Sequence, residues 1–245
     1  MNLTSRVVLL TGARRMGPAI AERLAARGAN LVVAYRRSRD EADAVTAVAE
    51  AAGREGLAIQ ADVSDSTSVA ALMTAIEDRF ARLDVVVNMA SLYESVPFDE
   101  ITEAHWHRQL SVDLHGTFNV CRAAAPLLRR DGGGRIINFS DWVAASGRPR
   151  YRGYVAYYVA KAGVKALTEA LALELAPDIL VNAVAPGPIL APPDTSDEEA
   201  GSVAAATPVG RWGGPGEIAK VIDALLESDF IAGETIRVDG GRHVR

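Results

Sequence analysis

Tyr157 and Lys161 are spaced for acid–base chemistry, because they stand four residues apart in the stretch YVAYYVAK, residues 154–161. Residues four apart on a helix share a face. An ammonium beside a phenol favours the phenolate and lowers the tyrosine pKa, which makes the phenol a usable proton donor nearer neutral pH. Only three of the 26 lysines and arginines are lysine, and lysine offers a compact ammonium that a guanidinium cannot replace. The pair therefore predicts a catalytic acid and its partner.

A glycine-containing turn follows the first apolar run, in the sequence TGARRMGPAIA of residues 11–21. Its glycines let the backbone approach a pyrophosphate, and Pro18 suits the first turn of a helix whose N-terminus supplies free N–H groups. This position, after the first strand of an α/β pattern, is typical of dinucleotide binding. The expected cofactor contacts here are Gly12, Arg14, Arg15, Met16 and Gly17.

The end of the second predicted strand indicates which dinucleotide binds. Folds that bind NAD usually place an acid there for the ribose hydroxyls, whereas this chain reads AYRRS at residues 34–38. Arginines and a hydroxyl can surround a 2′-phosphate, which a carboxylate would repel. We therefore predict NADPH, bound by Tyr35, Arg36, Arg37 and Ser38 with Arg15 nearby. The alternative is a solvated basic turn.

Short β-branched and aliphatic runs alternate with longer stretches of helical spacing. The predicted strands are Val7–Leu10, Leu31–Tyr35, Leu57–Ala61, Val85–Asn88, Arg135–Phe139, Leu180–Val184 and Thr235–Val238. The predicted helices are Ala19–Ala26, Glu41–Ala52, Val69–Phe80, Trp106–Leu128, Val159–Leu175 and Glu217–Leu226. This alternation predicts a doubly wound (Rossmann) α/β fold, in which a mostly parallel seven-stranded sheet has helices on both faces. We expect a single domain over residues 1–245.

Composition argues against several classes of protein. A net charge of −5 argues against nucleic acid as the main partner. No apolar run approaches the roughly 18 residues that cross a bilayer. The single cysteine, Cys121, cannot form an internal disulfide or hold zinc alone, and His105 and His107, two apart, do not share a helix face. We expect a cytoplasmic enzyme with a small-molecule substrate and no metal, membrane or nucleic-acid partner.

Residues 186–216 are crowded with proline and glycine and show no clear element. A connection of that length in a compact domain is usually functional or mobile. We expect a substrate lid over residues 187–213, with a short helix beginning at the capping-box sequence Thr195–Glu198. The alternative is an ordinary surface excursion.

Motifs spread along the chain resemble those of the short-chain dehydrogenase/reductase family. They are Thr11–Gly17, Asp62-Val63, Asn88-Met89-Ala90, Tyr157 with Lys161, Pro186-Gly187 and Val238–Gly241. The resemblance implies that Tyr157 is the acid and that Lys161 holds the nicotinamide ribose and tunes Tyr157. It also implies that Asp62 and Val63 border the adenine, that Asn88 lies along the cofactor, and that the protein forms a homotetramer. Further implied cofactor contacts are Ala90, Ser91, Pro186, Gly187 and Ile189.

The pteridine reductase branch is the nearest resemblance within that family. Where the family normally has a serine, this chain reads INFSDW at residues 137–142, which aligns Asp141 with that place. A carboxylate suits the ring nitrogens and amino group of a pterin, and a flat ring stacks well on an aromatic side chain. In the alternative interpretation Asp141 caps a turn or pairs with Arg148 or Arg150, and Ser140 takes the role of the serine.

Three other segments resemble the same branch, namely Arg14–Gly17, Arg37-Ser38 and Asn88–Tyr93. By that resemblance Ser91 and Tyr93 line the substrate pocket together with Asp141 and Tyr157.

The chain departs from the family pattern at three places, and the first is the phosphate turn, which is one residue shorter than usual and has Pro18-Ala19 where another glycine or a polar residue is common. Asp113 occupies the position of an asparagine that completes the family's proton relay, and we assign it to the catalytic group. The usual spacing from Asp141 would select Tyr154 as the acid, but Tyr154 has no lysine four residues on, so we select Tyr157. Tyr151 and Tyr154 are then pocket or interface aromatics, and we favour the interface.

The expected function is NADPH-dependent hydride transfer to the C=N bond of a dihydropterin or dihydrofolate-like ring. One alternative is a 3-oxoacyl-acyl-carrier-protein reductase or a general ketone or quinone reductase. A second alternative is a catalytically silent regulator that binds NADPH.

Overall fold

The computed structural model describes residues 1–130, 132–193 and 195–245. Its strands are β1 Val7–Thr11, β2 Asn30–Tyr35, β3 Gly56–Gln60, β4 Val85–Asn88, β5 Gly134–Phe139, β6 Ile179–Pro186 and β7 Thr235–Val238. They form one sheet in the order β3-β2-β1-β4-β5-β6-β7, and every neighbouring pair is parallel. The predicted doubly wound seven-stranded sheet is confirmed.

Helices cover both faces of this sheet. They are α1 Gly17–Ala26, α2 Arg39–Ala51, α3 Ser66–Phe80, α4 Glu103–Leu110, α5 Gly116–Arg130, α6 Trp142–Ala145, α7 Val155–Leu175, α8 Asp197–Ala205 and α9 Pro215–Glu227. Apolar residues of α1, α2 and α9 form the core on one face, and those of α3 and α5 form the core on the other. Each fully buried aliphatic side chain contributes roughly 1.5–3 kcal/mol, so the two layers hold the sheet as a fixed platform. None of the helices in the described part of the chain combines the length and apolar character needed to span a bilayer.

The predicted helices differ from the observed ones by a few residues at most of their ends, and in three further respects. The predicted helix Trp106–Leu128 is interrupted by a wider, π-helical turn at Ser111–His115, which sequence periodicity does not reveal. The short helix α6 was not predicted, because four residues are too few to show a period. Helix α8 begins one residue later than expected. The predicted capping box joined Thr195 to Glu198, whereas the observed one joins Ser196 to Glu199.

The chain order reverses between β1 and β4, which are adjacent strands. Thr11 lies opposite Asn88 in their register. The Thr11 Oγ1 accepts hydrogen bonds from the main-chain N–H groups of Met89, at 3.0 Å, and Ala90, at 3.2 Å. Ligands of open α/β sheets bind outside the carboxyl ends of strands at such a reversal, so the crevice above Thr11 is where a site is expected.

Candidate active site

Tyr157 and Lys161 both lie in α7, and Lys161 is only 3% exposed. The Lys161 Nζ donates to the main-chain O of Phe139, at 3.0 Å, and lies 3.0 Å from Asp113 Oδ1. It also lies 5.8 Å from the centroid of the Tyr157 ring. The helix therefore brings the predicted pair together, and two of the three donors of the ammonium are used within the protein.

Asp141 links the end of β5 to Tyr157. Its Oδ2 accepts a hydrogen bond from the Tyr157 hydroxyl, at 3.0 Å, and its Oδ1 accepts one from the Val143 N–H, at 2.9 Å. Asp141 is the N-cap residue of α6. The carboxylate thus caps a turn with one oxygen, as the alternative interpretation expected, and contacts the candidate acid with the other.

The residues that the alternative interpretation placed at this site, Ser140, Arg148 and Arg150, have other hydrogen-bond partners. Ser140 is 3% exposed, and its hydroxyl donates to the main-chain O of Lys161, at 2.9 Å, so it ties β5 to α7. The guanidinium groups of Arg148 and Arg150 donate to main-chain oxygens of His243 and Arg245. Asp141, and not Ser140, is the side chain that faces the Tyr157 hydroxyl.

Asp113 is completely buried in the π-helical turn. Beside its ion pair with Lys161, its carboxylate accepts hydrogen bonds from the Leu92 N–H, at 2.9 Å, from Gln109 Nε2, at 2.8 Å, and from the Ser91 hydroxyl. Each oxygen therefore has two partners. Ser91, predicted to contact cofactor and substrate, directs its hydroxyl at this carboxylate, and Gln109 is a site residue that sequence reasoning missed.

The pKa of Tyr157 is shifted in the direction opposite to the expected one. Burial, followed by the negative charges of Asp141 and Asp113, raises the pKa of Tyr157 well above its usual value. The net shift in the Tyr157 pKa is therefore opposite to the lowering expected from Lys161, because burial and then the two carboxylates dominate it. Burial also raises the pKa of Asp141, against the opposing effects of the Val143 N–H, the Tyr157 hydroxyl and Lys161. Tyr157 is thus a protonated phenol near neutral pH, which is the form of an acid and not of a base.

Tyrosine rings gather beside this acid. Tyr93 and Tyr154 stack with centroids 4.8 Å apart and an interplanar angle of 27°. Tyr157 meets Tyr93 edge to face, at 5.0 Å, and Tyr151 contacts Tyr154 at 6.5 Å. Tyr151 and Tyr154 therefore form one aromatic cluster with Tyr93 and Tyr157, and the interface role that we favoured for them stays a prediction.

The glycine turn above β1 has the geometry of a phosphate cradle. Gly12 has φ +86°, and a Cβ there would lie 3.5 Å from the Ala90 main chain. Met16 is the N-cap residue of α1 and makes no side-chain cap hydrogen bond, so the helix N-terminus keeps free donors. Gly17 begins the helix and is buried. Backbone N–H groups at a helix N-terminus suit a pyrophosphate, and the turn fits a dinucleotide.

The predicted 2′-phosphate site at the end of β2 is open to solvent. Arg37 is exposed, and Ser38 is the N-cap residue of α2 without a side-chain cap hydrogen bond. Arg36 Nε lies 2.8 Å from Asp62 Oδ2. Partial burial raises the pKa of Asp62, but hydrogen bonds from Ser64 and then the charge of Arg36 outweigh it, so the pKa is lowered overall. Arg36 is held by Asp62, and Arg37 and Ser38 remain available to a phosphate.

Arg14 and Arg15 have separate partners at the same crevice. Arg14 Nε lies 3.4 Å from Glu41 Oε1 at the surface. Arg15 adopts φ +63°, and its Nη2 donates to the main-chain O of Leu190, at 2.6 Å. Arg15 therefore spans from the glycine turn to the first residues of the predicted lid.

Three predicted cofactor contacts are mainly scaffold residues. Tyr35 and Val63 are each 7% exposed, and Asn88 is 4% exposed. The Asn88 Nδ2 donates to Asn138 Oδ1, at 2.9 Å. Val63 packs so closely that a Cβ on Gly116 would lie 2.7 Å from its Cγ2. These side chains support the floor of the crevice.

The predicted contacts after β6 lie at the start of the predicted lid and are fixed to the sheet and the core. Pro186 ends β6, and the Gly187 N–H donates to the Val238 main-chain O, at 2.9 Å. A Cβ on Gly187 would lie 2.5 Å from the Asp239 Cβ, so only glycine fits. Ile189 is 5% exposed and belongs to the core.

The residues after β7 contact both α8 and Trp142, which follows Asp141 in the chain. Arg242 and Arg245 donate to main-chain oxygens in the last turn of α8, at 3.3 and 2.9 Å. The Arg242 guanidinium also lies 5.5 Å from the centroid of Trp142, the residue after Asp141. His243 Nδ1 lies 2.8 Å from Asp239 Oδ2 in the same chain. Sequence reasoning missed both arginines, because their partners are distant in sequence.

The fold and this crevice define an α/β protein of the dinucleotide-binding class. A family model described as Enoyl-(Acyl carrier protein) reductase matches residues 12–243. The 3-oxoacyl-[acyl-carrier-protein] reductase FabG of Staphylococcus aureus is 37% identical over 250 residues, which cover 100% of both chains.

Solved structures agree with this assignment. A putative short-chain alcohol dehydrogenase from Sinorhizobium meliloti is similar with a TM-score of 0.91 and 30% identity, covering 99% of this chain and 98% of that one. A blue fluorescent protein from a metagenomic library, in complex with NADPH, is similar with a TM-score of 0.89 and 30% identity, covering 99% of both chains. The chain belongs to the short-chain dehydrogenase/reductase family, as the motifs predicted, and it is an oxidoreductase. These comparisons show the family and do not show the pteridine reductase branch.

Proposed function

We propose that the protein is an NADPH-dependent reductase that acts on the C=N bond of a pterin-like ring. The observation that carries this proposal is the hydrogen bond of 3.0 Å from the Tyr157 hydroxyl to the partly buried Asp141 carboxylate. Reduction of a ketone needs only one hydroxyl donor, whereas a carboxylate beside the phenol can also accept from the N–H groups of a pterin. The small-molecule substrate that best uses both groups has a nitrogen at the reacting bond.

NADPH is the cofactor that the crevice fits. The turn Gly12–Gly17 would hold the pyrophosphate, and Arg37 and Ser38 would hold the 2′-phosphate. The unused donor of the Lys161 ammonium would bind the nicotinamide ribose. The bound cofactor supplies the hydride. The similar blue fluorescent protein in complex with NADPH supports this choice.

The protein's own residues supply the proton in this proposal. Tyr157 is kept as a phenol by burial and by two carboxylates, so it holds a proton beside the substrate. The Tyr157–Asp141 pair gives one proton to the ring nitrogen, and solvent restores it. Lys161, neutralised by Asp113, orients the cofactor more than it stabilises a phenolate.

Asp141→Ser tests the role of the carboxylate. We expect kcat/KM for dihydrobiopterin to fall by roughly 10–100-fold, because a hydrogen bond to a charged group contributes about 1.5–3 kcal/mol. NADPH oxidation followed by absorbance gives the rate, and NADPH affinity, measured by fluorescence, should stay unchanged. If the variant keeps full activity on the pterin, the proposal of a pterin substrate is wrong.

Arg37→Asp tests the cofactor site. We expect the Kd of NADPH to rise by roughly 10–100-fold, because a charge-assisted hydrogen bond to the phosphate is lost, while the Kd of NADH changes little. Arg54→Asp is the matched control, since Arg54 precedes β3 at the amino end of the strands, whereas Arg37 follows β2 at their carboxyl end. Equal weakening of NADPH and NADH by Arg37→Asp would contradict the 2′-phosphate assignment.

A second candidate function is reduction of a 3-oxoacyl thioester. The relative from Staphylococcus aureus, 37% identical over its full length, favours it, and the names of such relatives support a carbonyl substrate more directly than a pterin. One panel separates the two candidates: NADPH oxidation with dihydrobiopterin, dihydrofolate, an acetoacetyl thioester and a quinone, with NADH as control. Turnover of the thioester without the pterins would select the second candidate.

Four further expectations about the protein remain predictions. They are the single domain, the homotetramer, the cytoplasmic location and the action of residues 187–213 as a lid.

A further inference from the structure

Six arginines lie in the segment between α6 and α7 and in residues 237–245. We call them the arginine surface, and they are Arg148, Arg150, Arg152, Arg237, Arg242 and Arg245. The carboxylates of residues 141–153 and 237–245 are those of Asp141, Asp239 and the terminal residue. Six positive charges therefore stand against three negative ones, in a chain whose net charge is −5. A local positive excess of this kind attracts anions.

None of these arginines forms an ion pair with a carboxylate side chain of the described residues. Arg148 and Arg150 donate to main-chain oxygens of the terminal segment, and Arg237 donates to the main-chain O of the last residue of α6. Arg242 and Arg245 donate to main-chain oxygens in the last turn of α8, where the helix dipole favours a cation. A guanidinium has five N–H donors, so each of these contacts leaves donors for a ligand.

The carboxylates nearby have other partners. Asp239 is 4% exposed, and its carboxylate accepts hydrogen bonds from the residues that follow it. Asp141 directs its two oxygens at an N–H group and at the candidate acid. The terminal residue, Arg245, offers an oxygen to Arg150. Most of the positive charge of the arginine surface is therefore not cancelled at close range.

Trp142 places two of the arginines beside the candidate site. It follows Asp141 directly in the chain, and the guanidinium groups of Arg150 and Arg242 lie 5.4 and 5.5 Å from the centroid of its ring. Burial raises the pKa of Tyr151, the charge of Arg242 opposes that rise, Asp141 adds to it, and Arg150 opposes it again. One tyrosine of the aromatic cluster thus experiences the carboxylate of the site and both arginines, so all three charges act on the same part of the site.

We propose that the arginine surface binds an anionic group, a carboxylate or a phosphate, at the end of the substrate remote from the reacting bond. This inference rests on the proposed function, in which the ring contacts Asp141 and Tyr157. A side chain that extends from the ring past Trp142 brings its negative charge to the guanidinium groups. Arginine binds carboxylates and phosphates through two parallel N–H groups. The protein therefore favours pterin-like rings with a negatively charged side chain over neutral ones.

The test compares dihydrofolate, whose side chain carries two carboxylates, with its dimethyl ester, which has the same ring and no negative charge. Oxidation of NADPH gives kcat/KM for each compound. We expect a value on the order of tenfold higher for dihydrofolate, because hydrogen bonds to charged groups are the stronger ones. The preference should shrink as the salt concentration rises, since salt screens exposed charges.

Substitutions identify the arginines as the cause of the preference. Arg150→Gln should reduce it severalfold, because Arg150 is exposed and its replacement removes one positive charge. Arg242→Gln is the second variant and should act in the same direction. Arg79→Gln is the matched control, since Arg79 is an exposed arginine of α3 that pairs with Glu55, and it should keep the full preference. Both compounds are measured on each variant, so a loss of folded protein lowers both values equally and leaves their ratio unchanged.

Equal kcat/KM for the acid and the ester in the unaltered protein would overturn the inference, as would a preference that survives both Arg150→Gln and Arg242→Gln. A protein that reduces dihydrobiopterin and the ester as well as it reduces dihydrofolate keeps the proposed function and loses the anion selection. If only thioesters are turned over, the proposed function fails, and acetoacetyl-coenzyme A is then compared with neutral acetoacetyl-N-acetylcysteamine. A preference for the coenzyme A thioester that Arg150→Gln reduces supports the arginine surface, and equal values overturn it.

Discussion

Tyr157→Phe is expected to lower kcat by roughly 10²–10⁴-fold, the usual contribution of a positioned proton donor. The substitution removes the hydroxyl that donates to Asp141 at 3.0 Å and leaves a ring of the same size. The edge-to-face contact with Tyr93, at 5.0 Å, can therefore persist, and the free energy of unfolding should change little. Steady-state oxidation of NADPH with the best substrate of the panel gives the rate, and fluorescence titration gives the affinity for NADPH.

Tyr158→Phe is the matched control, because Tyr158 is the next residue of α7 and points away from the face shared by Tyr157 and Lys161. It should keep full turnover. If the protein is instead a catalytically silent regulator, the unaltered protein should bind NADPH without turnover, and Tyr157→Phe should cause no loss of function. Full activity of Tyr157→Phe in an active enzyme would show that another group supplies the proton.

Lys161→Met is expected to lower the free energy of unfolding by roughly 3–5 kcal/mol, because it leaves a buried carboxylate without its counter-ion. Asp113 is completely buried, so solvent cannot replace the ammonium. Hydrogen bonds from Ser91, Leu92 and Gln109 remain and should keep the loss near the lower limit. For a protein of this size that corresponds to a drop in Tm on the order of 10 °C, measurable by circular dichroism.

A double-mutant cycle identifies the cause of that loss. Asp113→Asn removes the buried charge, so the double variant Lys161→Met with Asp113→Asn should recover much of the stability lost by Lys161→Met alone. Lys165→Met is the control, since Lys165 pairs with Glu169 at the surface one turn further along α7, where an ion pair contributes about 0–1 kcal/mol. Similar values for Lys161→Met and Lys165→Met would mean that the buried pair is not a stabilising unit.

Most of the sheet could be predicted from the sequence because its five central strands are buried on both faces. Val85–Asn88 and Thr235–Val238 match their predicted bounds, and the other strands differ by a few residues at their ends. Local apolar runs are sufficient for such strands. The helices were predicted where apolar residues recur at helical spacing, and the prediction was wrong at Ser111–His115, where the backbone widens into a π-helical turn.

The candidate site was predicted in its residue types and not in its contacts. The spacing of Tyr157 and Lys161 fixes a shared face, but the burial of Tyr157 and the approach of Asp113 and Asp141 come from three other parts of the chain. Burial, followed by those distant carboxylates, raises the pKa of Tyr157, which is opposite to the expected direction. The contact of Arg242 with Trp142 joins residues 100 positions apart, and no local pattern indicates it.

The hydroxyl of Thr11 accepts from two successive amides, those of Met89 and Ala90. These two hydrogen bonds join β1 to β4 at the place where the chain order of the strands reverses. The two strands cannot separate there without losing both bonds. In native-state hydrogen exchange, these amide protons should exchange only with large-scale opening of the protein. The floor of the crevice is therefore rigid, and we expect the predicted lid, residues 187–213, to accommodate ligands of different shape.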